Sequence, residues 1–200
     1  MAESTARLDE QRELIDALGA ENYELRRRID AMEAYSRIDN VVVHGLSESF
    51  AEVGAGHRAA DVATETSESS EDIFINFCQT KLNVNISKGD ISVAHRLPKA
   101  QSANGPRPLL IRFANRRSRT RVMTARKELR VDRSCRIYIN EHLTKEASYL
   151  FAEARKLVRA KTLAGAWSWN GRIYCKTLES RGSKSAPVDS IAALRKLAEN

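Results

Sequence analysis

Apolar side chains recur every seven residues along the first part of the chain. In a heptad register the a-type positions are Leu8, Ile15, Asn22 and Ile29, and the d-type positions are Gln11, Leu18, Leu25 and Met32. Six of these eight positions are apolar, and Arg and Glu are abundant between them, which is typical of a coiled coil. We therefore predict a coiled-coil helix over residues 4–36 that oligomerises through Leu8, Ile15, Leu18, Asn22, Leu25, Ile29 and Met32.

The number of chains in this coiled coil stays open between two and three. An Asn at an a-type position often favours dimers, whereas residues 28–33 resemble the Arg-h-x-x-h-Glu pattern (h, apolar) of short trimeric coiled coils. Gly19 weakens the middle of the helix. The alternative is an amphipathic helix that packs against its own domain.

After the predicted coiled coil, the pattern of apolar residues changes to the period of two that is typical of strands. Four segments have the alternation or the β-branched content of a strand, namely residues 40–45, 90–97, 107–113 and 136–140. One helix is predicted from a cap at Ser69 or Ser70 to Val84, and a second begins after Asn115. The apolar stripe of the second helix is formed by Val122, Ala125 and Leu129.

The resulting order, β-α-β-β-α-β, predicts a ferredoxin-like, RNA-recognition-like domain over residues 38–140, with two helices on one face of a four-stranded sheet. Residues 47–70 are small, polar and acidic, and predict a flexible insertion in this domain. If Leu109, Ile111 and Phe113 face the helices, Arg112 and Tyr138 lie on the open face.

A small α/β subdomain is predicted over residues 141–200. Thr144 caps a helix whose wide apolar stripe consists of Ala147, Leu150, Phe151, Ala154, Leu157 and Val158. Pro187 is expected to open a short last helix. The whole chain is therefore predicted to be α+β: an N-terminal coiled-coil helix, the βαββαβ domain and this subdomain.

A β-hairpin is predicted inside the subdomain because Asn170-Gly171 separates two alternating segments. A two-residue turn pairs Trp169 with Arg172 and Trp167 with Tyr174, so that these four side chains share one face. That face either stacks bases beside a cation or forms the core of the subdomain under its helix.

The charge is distributed unevenly, which changes the functional expectation. The net charge is +7, but residues 1–80 carry 7 Lys/Arg against 17 Asp/Glu (−10), and residues 81–200 carry 26 against 9 (+17). Between residues 96 and 136 there are 13 Lys/Arg and only 2 acidic residues, a net +11. Such a density favours a polyanionic partner, above all a phosphate backbone. The alternative is a solvated helix face on a soluble domain.

Other chemistry is not indicated. The cysteines Cys78, Cys135 and Cys175 are widely spaced without a CxxC, which favours buried thiols in a reducing compartment over a zinc site. The four histidines are scattered, and no catalytic arrangement or phosphate-cradling Gly loop is found. We expect no catalytic residues, no metal and no cofactor. Without a signal peptide or a spanning apolar run, a soluble, cytoplasmic protein is expected, with the Arg116–Arg121 cluster as an alternative nuclear-import signal.

Several segments, in this order, resemble known families. Residues 40–46 (NVVVHGL), 94–97 (AHRL), 107–113 (RPLLIRF) and 125–127 (ARK), behind a coiled coil, resemble the first-reading-frame proteins of LINE-type retrotransposons. Residues 137–144, 150–155 and 169–173 look closer to the C-terminal domain of baculovirus "few polyhedra" (FP) proteins and their transposon-borne relatives. The resemblance covers most of residues 40–177, although the acidic insertion departs from it.

The resemblance implies a self-associating protein that coats single-stranded RNA of the element in ribonucleoprotein particles and acts as a nucleic-acid chaperone. By matching motif, contacts to the RNA backbone fall on Arg96, Arg107, Arg112, Arg116, Arg117 and Arg126. Charge and position add the candidates Arg119, Arg121, Lys127, Arg136, Tyr138, Arg155, Arg159 and Arg172. Single-stranded DNA is a possible second ligand, and a membrane partner is not expected. The competing hypothesis is an FP-like scaffold or virion-associated protein whose coiled coil binds protein partners.

Overall fold

The computed structural model describes residues 2–48, 69–98, 105–130, 135–178 and 185–199. The fold is α+β, with a long N-terminal helix and two antiparallel sheets. Contacts divide the chain into two compact units, Ile38–His142 and a second unit made of Met1–Arg37 with Leu143–Asn200. The predicted flexible insertion lies, except for its two ends, outside the described residues.

The unit Ile38–His142 is built around one four-stranded sheet. Its elements are β1 (Asn40–His44), α2 (Ser70–Lys81), β2 (Ile91–Arg96), β3 (Leu109–Phe113), α3 (Arg116–Ala125) and β4 (Tyr138–Glu141). The strand order is β2-β3-β1-β4, and every neighbouring pair is antiparallel. Short 3-10 helices at Lys88–Asp90 and Glu128–Arg130 follow α2 and α3.

The helices of this unit begin where capping residues satisfy their first N–H groups. The Ser69 hydroxyl accepts from the Asp72 N–H at 3.2 Å, and the Asn115 side chain accepts from the Ser118 N–H at 2.9 Å. Helix α2 ends at Lys81, three residues before the predicted Val84. It stops there because Asn83 has a positive φ of 51°, which ends the regular helix.

The core of this unit lies between the sheet and its helices. Leu109, Ile111 and Phe113 are buried in it together with Val41 and Val43, while Arg112 and Tyr138 are exposed. The predicted orientation of Arg112 and Tyr138 is confirmed, whereas Leu110 on the same face as Arg112 is buried. Of the predicted stripe, Val122 is buried and Ala125 partly buried on α3, whereas Leu129 is buried in the 3-10 helix that follows, because α3 ends at Ala125.

The second unit contains a three-stranded antiparallel sheet. Its elements are α1 (Ala2–Arg37), α4 (Lys145–Arg159), β5 (Leu163–Trp169), β6 (Arg172–Thr177), β7 (Ala186–Val188) and α5 (Ile191–Ala198). Thr144 caps α4, as predicted, by accepting from the Ala147 N–H at 3.1 Å. The hairpin is also as predicted: Asn170 and Gly171 both have positive φ, Trp169 pairs with Arg172, and Trp167 pairs with Tyr174.

The prediction that Pro187 opens the last helix is wrong. Pro187 lies in the middle of β7, opposite Tyr174, and α5 begins at Ile191 after the cap Ser190. Strand β7 is at the edge of its sheet, a position where a residue without an N–H is tolerated.

Helix α1 exposes the residues predicted to form the coiled-coil seam. Ile15, Leu18, Leu25, Ile29 and Met32 are between 46% and 73% exposed, and Asn22 is exposed as well. The side chain of Leu8 lies outside the described residues. The end of the helix contacts its own unit, where the Arg37 guanidinium donates to the Leu143 carbonyl at 2.9 Å.

Candidate nucleic-acid interface

The clearest basic surface lies where β3 ends and α3 begins. Arg112 precedes the cap Asn115, and Arg116, Arg117 and Arg121 follow in the first turns of α3. We call the last three the α3 cluster. Their side chains are exposed, and they line a shallow depression together with Asp90, Asn115 and Ser118. The N-terminus of α3 adds its own partial positive charge at this place.

Two acidic residues from distant parts of the chain hold the start of α3. The Asp90 carboxylate accepts from the Ser118 hydroxyl at 2.5 Å and from the Asn115 amide at 3.2 Å. These bonds, led by the one from Ser118, lower the pKa of Asp90. The Arg116 Nε donates to the Asp39 carboxylate at 3.1 Å. The α3 cluster is thus partly compensated, and Arg117 and Arg121 have no ion pair to any described carboxylate.

Arg119 is not on this surface, which corrects its assignment as a nucleic-acid contact. Its side chain is only 4% exposed and forms a 2.5 Å ion pair with Glu141, which is 3% exposed. The reason is geometric: Arg119 follows Ser118 and precedes Val122 on the buried side of α3, so its guanidinium reaches the end of β4. Arg119 therefore forms a buried ion pair inside the unit.

Arg96 is likewise engaged within the fold. Its guanidinium donates to the carbonyls of Leu46 and Arg107, both at 2.8 Å, and to the carbonyl of Ser47. Burial lowers the pKa of Arg96. Because these carbonyls belong to the segment after β1 and the segment before β3, Arg96 ties two loops together. It positions these two loops, and its role as an RNA contact stays a prediction.

Arg107 is exposed but has a strong acidic partner. Its Nη2 donates to Glu48 at 2.9 Å, and its backbone N–H donates to the same carboxylate at 3.0 Å. The hydrogen bonds from Arg107 lower the pKa of Glu48 to about 2. A phosphate can reach Arg107 only in competition with this carboxylate.

The remaining candidates of the unit differ in access. Arg126 is partly buried and donates to the Ile139 carbonyl at 3.2 Å. Lys127 and Arg136 are exposed, and Tyr138 is 60% exposed. Tyr138 lies on the open face of the sheet beside its strand partner His44, whose pKa is lowered by partial burial.

The open face is therefore accessible mainly toward its two ends. At its centre, Val42 of β1 and its strand partner Leu110 of β3 are apolar and buried. Arg112 lies at the end next to the α3 cluster, and Tyr138 and Arg136 lie at the opposite end. Arg112 lies at the end of β3 that leads into the α3 cluster, whereas Arg96 and Arg107 lie at the other end of this strand.

The other unit carries three candidates. Arg155 lies over the Phe151 ring at 5.6 Å, Arg159 is in the last turn of α4, and Arg172 begins β6. All three side chains are exposed.

Metal and thiol chemistry is not prominent in the described parts of the chain. No group of three or more His, Cys, Asp or Glu side chains there is arranged to hold a metal ion. Cys78 and Cys175 are buried and Cys135 is partly buried, all as free thiols. Burial raises the pKa of Cys78 to about 12. Among the described helices, none is both long and apolar enough to cross a membrane.

Comparison with known proteins gave no family assignment. The sequence matches no family model, and no curated protein matches it significantly.

Proposed function

We propose that this protein is an oligomeric, single-stranded nucleic-acid-binding protein that binds RNA through its phosphate backbone. In this proposal Ile38–His142 is a ferredoxin-like, RNA-recognition-like module, and α1 is the coiled coil that joins copies of the chain. The observation that carries the proposal is the exposed α3 cluster, which follows Arg112 in the chain and in which Arg117 and Arg121 form no ion pair with a carboxylate of the described residues.

Several basic residues of this unit are already engaged within the fold, so a phosphate binds most readily to the remaining exposed cations. Arg107, Arg116 and Arg119 are paired with carboxylates, and Arg96 and Arg126 bind carbonyl groups. The exposed candidates of this unit that form no ion pair with a described carboxylate are Arg112, Arg117, Arg121, Lys127 and Arg136. A polyanion neutralises several such cations at once and releases its own counterions.

The test is fluorescence anisotropy of a labelled single-stranded RNA over a series of salt concentrations, with double-stranded DNA as competitor. We expect tight binding at low salt, poor competition by the duplex, and a log Kd that rises steeply with log salt. The slope should fall by about 0.7 for each single-strand phosphate contact removed. The proposal would be refuted if the protein did not bind RNA at low salt, or if the Kd did not change with salt concentration.

Self-association is the second part of the proposal. Five apolar side chains of α1 are about half exposed or more on a single chain, and burying them between copies removes that area from water. Sedimentation of the intact chain should give a dimer or a trimer. Ile29→Asp should give a monomer with weaker RNA binding, because linked copies bind one strand with a high effective concentration.

The same proposal includes membership in the LINE-type or FP-like families. It also includes a chaperone role and a place in cytoplasmic ribonucleoprotein particles. A strand-annealing assay tests the chaperone role. We propose no catalytic activity.

A second candidate is an FP-like scaffold that acts through protein partners of α1. The exposed seam favours it, and so does the internal compensation of Arg107 and Arg116. Reversing the charge of Arg117 and Arg121 separates the two functions: lost RNA binding supports the first, and unchanged RNA binding supports the scaffold.

A further inference from the structure

The outer face of the β5–β6 hairpin is aromatic and exposed. Trp167 and Trp169 on β5 lie opposite Tyr174 and Arg172 on β6, and we call these four residues the aromatic face. The two indoles are 39% and 47% exposed. The core of the unit lies on the other side of the hairpin, where Ile173 is buried. Of the two roles predicted for this face, the structure rules out the core.

The rings are held in a fixed arrangement. Trp167 and Tyr174 are stacked, with 6.2 Å between ring centroids and 13° between ring planes. The hairpin that carries them is closed by the Asn170-Gly171 turn and supported by β7, where Pro187 lies opposite Tyr174. Rings ordered in this way lose little further entropy when another flat ring stacks on them.

The charges around the rings select the partner. Residues 160–178 contain no Asp or Glu. Arg172 lies opposite Trp169, and Lys176 lies opposite Gly165, so a cation flanks the aromatic pair on either side of the same face. Exposed aromatic rings between cations, without a carboxylate, match a strand whose bases stack and whose phosphates are anionic.

We infer that the aromatic face is a base-stacking site for single-stranded nucleic acid, distinct from the phosphate-binding α3 cluster. The inference rests on the proposed function, and it adds a contact to the bases to the phosphate contacts proposed for the α3 cluster. It makes affinity depend on the presence of bases as well as on charge.

The first test uses the wild-type chain. Its two tryptophans are both in the aromatic face, so tryptophan emission reports on this site alone. We expect a short oligouridylate to quench the emission as it binds, and an abasic phosphodiester of the same length and charge to leave it unchanged. Equal quenching by both oligomers would overturn the inference.

The second test measures anisotropy with variants of the intact chain. Trp167→Leu and Trp169→Leu should each weaken oligouridylate binding by about fivefold to 100-fold with an unchanged salt slope, because stacking releases no counterions. Tyr149→Leu is the matched control, since Tyr149 is 58% exposed on α4, and it should bind as wild type. Circular dichroism checks that the variants are folded.

The outcomes separate the two proposals. If wild type binds no RNA, the proposed function fails. If wild type binds RNA while its emission stays constant and the tryptophan variants bind equally well, only the aromatic face is refuted. Emission that changes with protein concentration alone would assign the face to a contact between copies and also overturn the inference.

Discussion

Arg117 and Arg119 are two residues apart in one helix, yet their side chains have opposite surroundings. Arg119 is 4% exposed and paired with Glu141 at 2.5 Å, whereas Arg117 is exposed. Arg119→Met removes the cation and leaves the Glu141 carboxylate buried without its ion pair. Breaking a buried pair on one side costs about 3–5 kcal/mol, a large part of the ~5–15 kcal/mol that stabilises a typical domain. Arg117→Met should change the free energy of unfolding by no more than about 0.5 kcal/mol.

The assay must report on the unit that contains the pair. Both tryptophans lie in the other unit, so tryptophan emission does not follow its unfolding. Amide hydrogen exchange in the buried β1 and β3 strands, for example at Val41 and Ile111, does so. Because 1.4 kcal/mol is a factor of ten, the loss in Arg119→Met corresponds to exchange that is roughly two to four orders of magnitude faster.

A double variant tests the mechanism. Arg119→Met with Glu141→Met replaces the pair by apolar side chains, which is often neutral or stabilising. We expect it to recover most of the stability lost in Arg119→Met, with a coupling energy of the order of the single loss. If Arg119→Met exchanged as slowly as wild type, the ion pair would not exist in solution, and Arg119 would return to the candidates for nucleic-acid contact.

RNA binding gives the complementary readout. Arg117→Met should lower the salt slope by about 0.7 while the fold is unaffected. Arg119→Met should keep the wild-type slope, provided that binding is measured where the variant is still folded.

Three further predictions concern individual contacts. Gly45→Ala should destabilise the unit Ile38–His142 by about 1–3 kcal/mol, measured by amide exchange, because Gly45 has a φ of 78° and a Cβ there would lie 2.3 Å from the Arg136 carbonyl oxygen. Cys78 should resist Ellman's reagent at about pH 8 until the protein unfolds, since burial raises its pKa to about 12. Glu48→Gln should lower the stability by about 1 kcal/mol or less, as for an exposed ion pair. This difference from wild type should hold above pH 4.5 and vanish as pH falls towards 2, because the pKa of Glu48 is lowered to about 2 from 4.5.

The local parts of the fold could be predicted from the sequence. Caps at Asn115 and Thr144, the stripe of α3 and the turn at Asn170-Gly171 all depend on residues within a few positions of one another. Pro187 is the exception. Its place in β7 depends on a pairing with Tyr174 across the sheet, and local sequence alone favours the start of a helix.

The sequence does not show which basic residues stay unpaired, because the charge of one segment says nothing about carboxylates that the fold brings to it from elsewhere. The carboxylate that pairs with Arg107 is 59 residues away, the one that pairs with Arg116 is 77 away, and the one that pairs with Arg119 is 22 away. Asp39 and Glu141 lie at strand ends, and Glu48 lies in the segment after β1, so each reaches its arginine through the fold. Acidic residues at strand ends, such as Asp39, Asp90 and Glu141, are the signal that was available in the sequence.

This pairing changes what the basic segment does. An unpaired +11 would give a diffuse field, attractive to any polyanion in any orientation. With Arg107 and Arg116 compensated and Arg119 buried, Arg117 and Arg121 in the first turns of α3 stay exposed without an ion pair in the described parts of the chain. A strand bound there is guided by fewer contacts, each with a defined position. The acidic residues therefore weaken the total attraction and confine the remaining attraction to these positions.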